Sequence, residues 1–167
     1  MTQYNIITES QEYTVVAEYD HVATPAESYQ SEADLEKEFI RLLGEQGYEY
    51  LPIHTEADLV KNLRSQLEKL NSYHFTDNEW TRFFSECIAN KNDDIVAKTS
   101  KIQDDYIQVL RRDTGESRNI WLIDKDNIHN NFVQVINQYV EEGGNYDTRY
   151  DVSILVNGLP LVHIELK

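Results

Sequence analysis

The chain has 167 residues and a formal net charge of -15, from 30 Asp and Glu against 15 Lys and Arg, with 40% hydrophobic residues, six Gly and three Pro. That is one domain's worth of chain with room for a real core, and a composition near globular averages excludes the disordered and fibrous classes. No apolar run approaches the roughly 20 residues of a membrane span, the start Met1-Thr2-Gln3-Tyr4-Asn5 is no secretory signal, and the single Cys87 excludes an internal disulfide.

A cytoplasmic protein without a membrane contact is therefore expected. Its acidity repels phosphate backbones and favours solubility, so an argument for nucleic acid has to come from a site.

Residues 1–30 show no clean period and read as an irregular arm with one short strand near 13–17. Ser31 followed by Asp34 and then Leu35, Phe39, Leu42 and Leu43 predicts a helix over 32–46, stopped by Gly44 and Gly47. Thr55 with Asp58, then Leu59, Leu63, Leu67 and Leu70, predicts a second helix to about Asn71. A third begins at Thr76 with Glu79 and carries the aromatic stripe Trp80, Phe83, Phe84, Cys87 and Ile88, read as core. A short helix to about Lys101 follows, then strands over 106–111 and 119–124 around the turn Asp113-Thr114-Gly115-Glu116. Residues 132–140 fit either period, and their Val and Ile content favours a strand, ended by Gly143-Gly144-Asn145.

The last 18 residues carry the chemistry. Val152, Ile154 and Val156 precede Asn157-Gly158, and Val162, Ile164 and Leu166 follow it, all at even positions. A two-residue loop would pair even with odd and split the apolar stripes between two faces. A three-residue loop, Val156 to Gly158 with Gly158 left-handed, pairs even with even. Asp151, His163, Glu165 and Lys167 then share the opposite face. Two carboxylates and an amine so placed suit Mg2+ and an attacking water, the chemistry of phosphodiester hydrolysis. By spacing alone the same residues more often describe a solvated strand face. Of the eight lysines, only Lys167 has an acid two residues before it, which favours the first interpretation.

The stretch from Arg149-Tyr150-Asp151 through Val156-Asn157-Gly158-Leu159-Pro160-Leu161-Val162 to Ile164-Glu165-Leu166-Lys167 resembles the amino-terminal nuclease motif of the R (motor) subunit of type I restriction-modification enzymes, of the PD-(D/E)XK nuclease superfamily. The helix start Ser31 to Glu36 and the later Gly47-Tyr48 resemble it too.

The resemblance implies an α/β (α+β) fold with a mixed central sheet flanked by helices, truncated after the motif hairpin, with residues 31–167 as the first part of an endonuclease domain. It implies Asp151, Glu165 and Lys167 as catalytic residues, Asp151 and Glu165 as Mg2+ ligands, and an additional acid from the first helix. Glu36 fits that role best, because it falls by the inward arc of Leu35, Phe39 and Leu43. Glu32 is second and also suits the helix amino-terminal dipole. The function implied is Mg2+-dependent cleavage of double-stranded DNA in a complex with methylation and specificity subunits. ATP belongs to motor domains beyond this segment, since no phosphate-binding loop is present here. The isolated segment is expected to be inactive. The five histidines lack zinc-ligand spacing, and Arg111, Arg112, Arg118 and Arg149 are the candidate phosphate contacts. The rival interpretation is an acidic interaction module or DNA mimic without catalysis.

Overall fold

A computed structural model of the chain describes residues 8–9, 14–15, 31–141 and 148–166. It divides into two units, Met1–Ser31 and Glu32–Lys167. In the first, β1 (Thr8–Glu9) and β2 (Thr14–Val15) pair antiparallel, β2 lying where a strand is expected.

The second unit is mixed α/β. Helix α1 (Glu32–Glu45) closes at Gly47, whose φ of +91° lets Tyr48 N–H return to Leu43 O at 3.1 Å. Helix α2 (Glu56–Asn71) starts where Thr55 Oγ1 accepts from Asp58 N, and it buries Leu63 and Leu67. Helix α3 (Asp77–Phe83) opens with the full capping box of Thr76 and Glu79, and continues as a π-turn over Phe84–Ile88 that the apolar spacing does not reveal. Phe75 packs on Trp80 and Phe83 with ring centroids 5.4 and 5.5 Å away, so the aromatic stripe is core. Helix α4 (Ile95–Gln103) is capped by Asp94 and tied back by Lys101, whose Nζ donates to Cys87 O and pairs with Asp93.

Strands β4 (Ile107–Arg111) and β5 (Ser117–Trp121) form a hairpin of their own. β5 starts and ends earlier than the expected 119–124. Gly115 at φ +88° completes the turn by residue 116, and the Asp124 carboxylate captures the N–H groups of Asp126 and Asn127, which bends the chain out of the strand.

The central sheet has the order β3-β6-β7-β8, with β3 (Glu49–Tyr50) parallel to β6 (Val133–Glu141) and the others, β7 (Thr148–Val156) and β8 (Leu159–Ile164), antiparallel. Residues 133–141 are thus a strand, as their β-branched content favours; the Gly143-Gly144-Asn145 stop lies outside the described residues. One sheet face packs Val135, Val152, Ile154 and Ile164 against Phe39 and Leu43 of α1. The other packs Ile136, Tyr139 and Leu155 with Ile53 and Leu59.

That second core corrects the sequence reading of the hairpin, in which the odd positions of β7 form a polar face. Ser153 and Leu155 are fully buried, because a strand inside a sheet covered on both sides has no solvated face. The loop is corrected as well. Val156 pairs with Leu159 across a two-residue turn with Asn157 at φ +51° and Gly158 at φ +81°, the type I′ geometry that Asn-Gly favours. Parity is restored further along. Leu155 pairs with Pro160 and Ile154 with Val162, so Leu161 is the bulged residue, and Val152 faces Ile164 as the apolar stripes demand. Proline donates no N–H to a ladder, and the outermost described strand is where it is tolerated.

Asn157 is fully buried. Its Oδ1 accepts from Phe132 N at 2.8 Å, and its Nδ2 donates to Leu122 O at 3.0 Å and to Asn131 Oδ1 at 2.8 Å. Gly158 lies against α2, where an added Cβ would stand 2.6 Å from the Leu63 Cα. Gly158→Ala is expected to cost about 2–4 kcal/mol in denaturant unfolding, from the left-handed backbone together with the clash; a loss under about 0.5 kcal/mol would contradict this packing.

Glu79 is a second buried anchor. Burial pushes its carboxyl up, but the N–H groups of Asp113 and Thr76 and the Tyr73 hydroxyl donate to it and hold it below the ordinary value. A depressed folded pKa contributes stability that is present above the unfolded value and is lost as pH falls through the folded one. Glu79→Gln should therefore be less stable than wild type at neutral pH, with the gap closing below about pH 4.5 in unfolding curves measured across pH.

Candidate functional site

The candidate residues lie on and beside neighbouring strands of the central sheet. The β6–β7 pairing runs Ile136↔Ser153, Asn137↔Val152 and then Tyr139↔Tyr150, leaving Gln138 and Asp151 out of the ladder. On the other side of β7 the register ends at Val152↔Ile164, and Asp151 and Glu165 are the residues that follow directly on that last pair.

Asp151 is half-buried, and its Oδ2 accepts from Leu166 N at 2.9 Å, which holds the chain beyond β8 alongside β7. Glu165 is exposed, one residue past the end of β8. Lys167 lies outside the described residues.

Glu36 is half-buried on the inward side of α1, as its angular position implies. Its Oε1 accepts from Asn137 Nδ2 at 2.6 Å and its Oε2 from Gln138 Nε2, which ties α1 to β6 where Asn137 faces Val152. Glu32 is exposed in the first turn of α1. Among the described residues, no group of three or more His, Cys, Asp or Glu side chains is arranged to hold a metal ion. Asp151 on β7 and Glu165 just beyond β8 offer hard carboxylate oxygens, the donor type that suits Mg2+, which takes one or two carboxylates and keeps several waters.

His163 serves the fold. Its ring stacks on Tyr150 with centroids 4.0 Å apart, and Ser153 Oγ lies 2.8 Å from its Nδ1. Two of the four candidate phosphate contacts are also engaged internally. Arg112 pairs with Glu116 at 2.6 Å, and Arg118 lies over the Tyr73 ring at 4.6 Å. Arg111 and Arg149 are exposed. The sequence reading missed Asn137 and Gln138, for which the signal was slight: two adjacent amides in a strand that already carries Gln134 and Glu141.

The family model for the type I restriction enzyme R protein N terminus matches residues 29–167. The chain belongs to that family. It is 46% identical over 162 residues to the type I restriction enzyme EcoprrI endonuclease subunit of Escherichia coli, covering 96% of this chain and 51% of that protein. The SsaAORF53P endonuclease subunit of Staphylococcus saprophyticus is 39% identical over 146 residues, and the SauCOLORF180P endonuclease subunit of Staphylococcus aureus strain COL 37% over 145, covering 83% and 84% of this chain and 15% of each relative. The chain therefore spans about half the length of the Escherichia coli relative and a much smaller part of the staphylococcal ones. Among the described residues, no helix is long and apolar enough to cross a membrane.

For this R-protein N-terminal segment, His163→Ala should lower stability by about 1–2 kcal/mol through the lost stack and hydrogen bond. Denaturant unfolding of the variant beside wild type measures that loss, and an unchanged midpoint would contradict the stacking role.

Proposed function

We propose that this chain is the amino-terminal nuclease segment of a type I restriction endonuclease subunit, with a PD-(D/E)XK fold and Mg2+-dependent hydrolysis of phosphodiester bonds in double-stranded DNA. The observation that carries this is the placement of Asp151 on β7 and of Glu165 directly beyond the end of the neighbouring β8, in a chain of the R-protein amino-terminal family.

Asp151 and Glu165 would hold the ion. The Asp151 carboxylate is oriented by its bond from Leu166 N, which leaves Oδ1 for the ion. The Lys167 ammonium orients the attacking water and balances charge as it develops on the phosphate. Bound Mg2+ supplies Lewis-acid charge to that water and to a phosphoryl oxygen. DNA strand selection, ATP hydrolysis and translocation belong to the rest of the subunit and to its methylation and specificity partners.

In the complete subunit with its partners, Asp151→Ala, Glu165→Ala and Lys167→Ala should each reduce DNA cleavage below about 1% of wild type while ATP hydrolysis continues, since each removes a group that acts in the transition state. Lys167→Arg should fail too, because a planar guanidinium does not replace a compact ammonium. Cleavage by Asp151→Ala at the wild-type rate would replace this proposal with the acidic interaction module.

A further inference from the structure

Among the described strands longer than two residues, β4, β5 and β8 each leave one edge unpaired. β8 carries Pro160, which has no N–H, and the bulged Leu161, and both obstruct a further strand. β5 is closed at Trp121, whose N–H donates to Asn71 Oδ1 at 2.7 Å and whose carbonyl accepts from Asn71 Nδ2 at 2.9 Å, so one amide stands in for a neighbouring strand. Those two bonds also fix the parity of the hairpin. Trp121 pairs with Ile107 and turns its polar groups away from β4, so Ile107, Val109 and Arg111 turn theirs away from β5. Of these outward groups, Arg111 O accepts from Arg82 Nη2 at 2.6 Å. The N–H and C=O groups of Ile107 and Val109 have no hydrogen-bond partner among the described residues.

The side chains along that edge do not guard it. Ile107, Val109 and Trp121 are 40%, 57% and 40% exposed on the outer face of the hairpin, opposite the face that buries Leu110 and Ile120. Edge strands are ordinarily protected by Lys, Pro or a bulge, and β4, Ile-Gln-Val-Leu-Arg, has none of these. Its one cation is the exposed Arg111, on the same face as Ile107 and Val109. Arg111 enters no ion pair among the described residues, whereas Arg41, Arg64, Arg82 and Arg112 all do.

We propose that the free edge of β4 is a strand-docking site, which takes an extended segment of a partner protein as a third, antiparallel strand. Main-chain bonds to Ile107 and Val109 supply the affinity, and alternate side chains supply the specificity. The partner residues opposite Ile107 and Val109 share their face, so they are apolar and β-branched, and the one opposite Arg111 is a carboxylate. A second copy of this chain does not meet that pattern. Antiparallel self-pairing about Val109 sets Arg111 against Ile107 and brings together two chains of net charge -15.

The test uses the complete endonuclease subunit and a capped peptide of alternating Val and Thr with one Glu placed to stand opposite Arg111, beside a control peptide with Lys in that place. In the free subunit, hydrogen exchange read at single residues by mass spectrometry should be at least about 10-fold faster at the Ile107 and Val109 amides than at Gln108 and Leu110, whose N–H groups face β5. Saturation with the Glu peptide should slow the two fast amides about 10-fold. It should bind about 5-fold more tightly than the Lys peptide, although the net charge of the chain favours the Lys peptide, and Arg111→Glu should reverse that order. Should Arg111→Glu fail to fold, the two peptides compared on wild type still decide. Slow exchange at Ile107 and Val109 in the free subunit would put a strand of the same protein on this edge, protection that grows with subunit concentration would put a second copy there, and either overturns the proposal. Equal affinity for the two peptides, or no protection by the Glu peptide at millimolar concentration, overturns it as well.

Discussion

Asn157 is a polar side chain with no exposure at the tip of a hairpin, a place usually left to solvent, and its amide is satisfied by Phe132, Leu122 and Asn131. A buried amide left without partners would cost on the order of 1–3 kcal/mol, so the turn cannot slide by one residue without leaving those donors and acceptors unpaired. Gly158 tightens the same constraint by admitting the α2 backbone where any Cβ would collide with Leu63. Together they fix where β7 ends and β8 begins. The bulge at Leu161 then decides what stands across from what, as far as Val152 and Ile164, the last pair before Asp151 and Glu165.

The helices were legible because each announces itself locally. Thr55 with Asp58 and Thr76 with Glu79 form the caps that their spacing suggests, and the leucines of α2 and the aromatics of α3 are buried on the faces that their period defines. The hairpin was legible only in its parity. Even positions do pair with even ones, but pattern counting cannot say where an extra residue is absorbed, and the strong type I′ preference of Asn-Gly moved it from the loop to Leu161. Burial on both sides of β7 was hidden because Ser153 looks like a solvent residue, although it is fully buried beside His163. The two-residue strand β3 and the left-handed Gln138 have no signature of their own; both are imposed by neighbouring chain.

In the candidate site, the inward position of Glu36 could be read from helical angles, whereas its partners could not, since they lie about 100 residues away in sequence. Asp151 and Glu165 are 14 positions apart along the chain, and the combination of a two-residue turn with a one-residue bulge sets the register of the last pair beside them, Val152 with Ile164.

Charge sets the division of labour between this segment and the rest of an enzyme. Binding a duplex requires cations that are available to displace counterions, and here Arg41, Arg64, Arg82, Arg112 and Lys101 are all paired with carboxylates of the same chain, within a net charge of -15. A metal ion bound at Asp151 and Glu165 would offset only a small part of that field. In the proposed nuclease the duplex must therefore be held by surfaces outside this segment and brought to it, and the steep salt dependence of DNA binding belongs to those surfaces. Under that proposal affinity and chemistry would be separate, with cleavage conditional on delivery of the duplex.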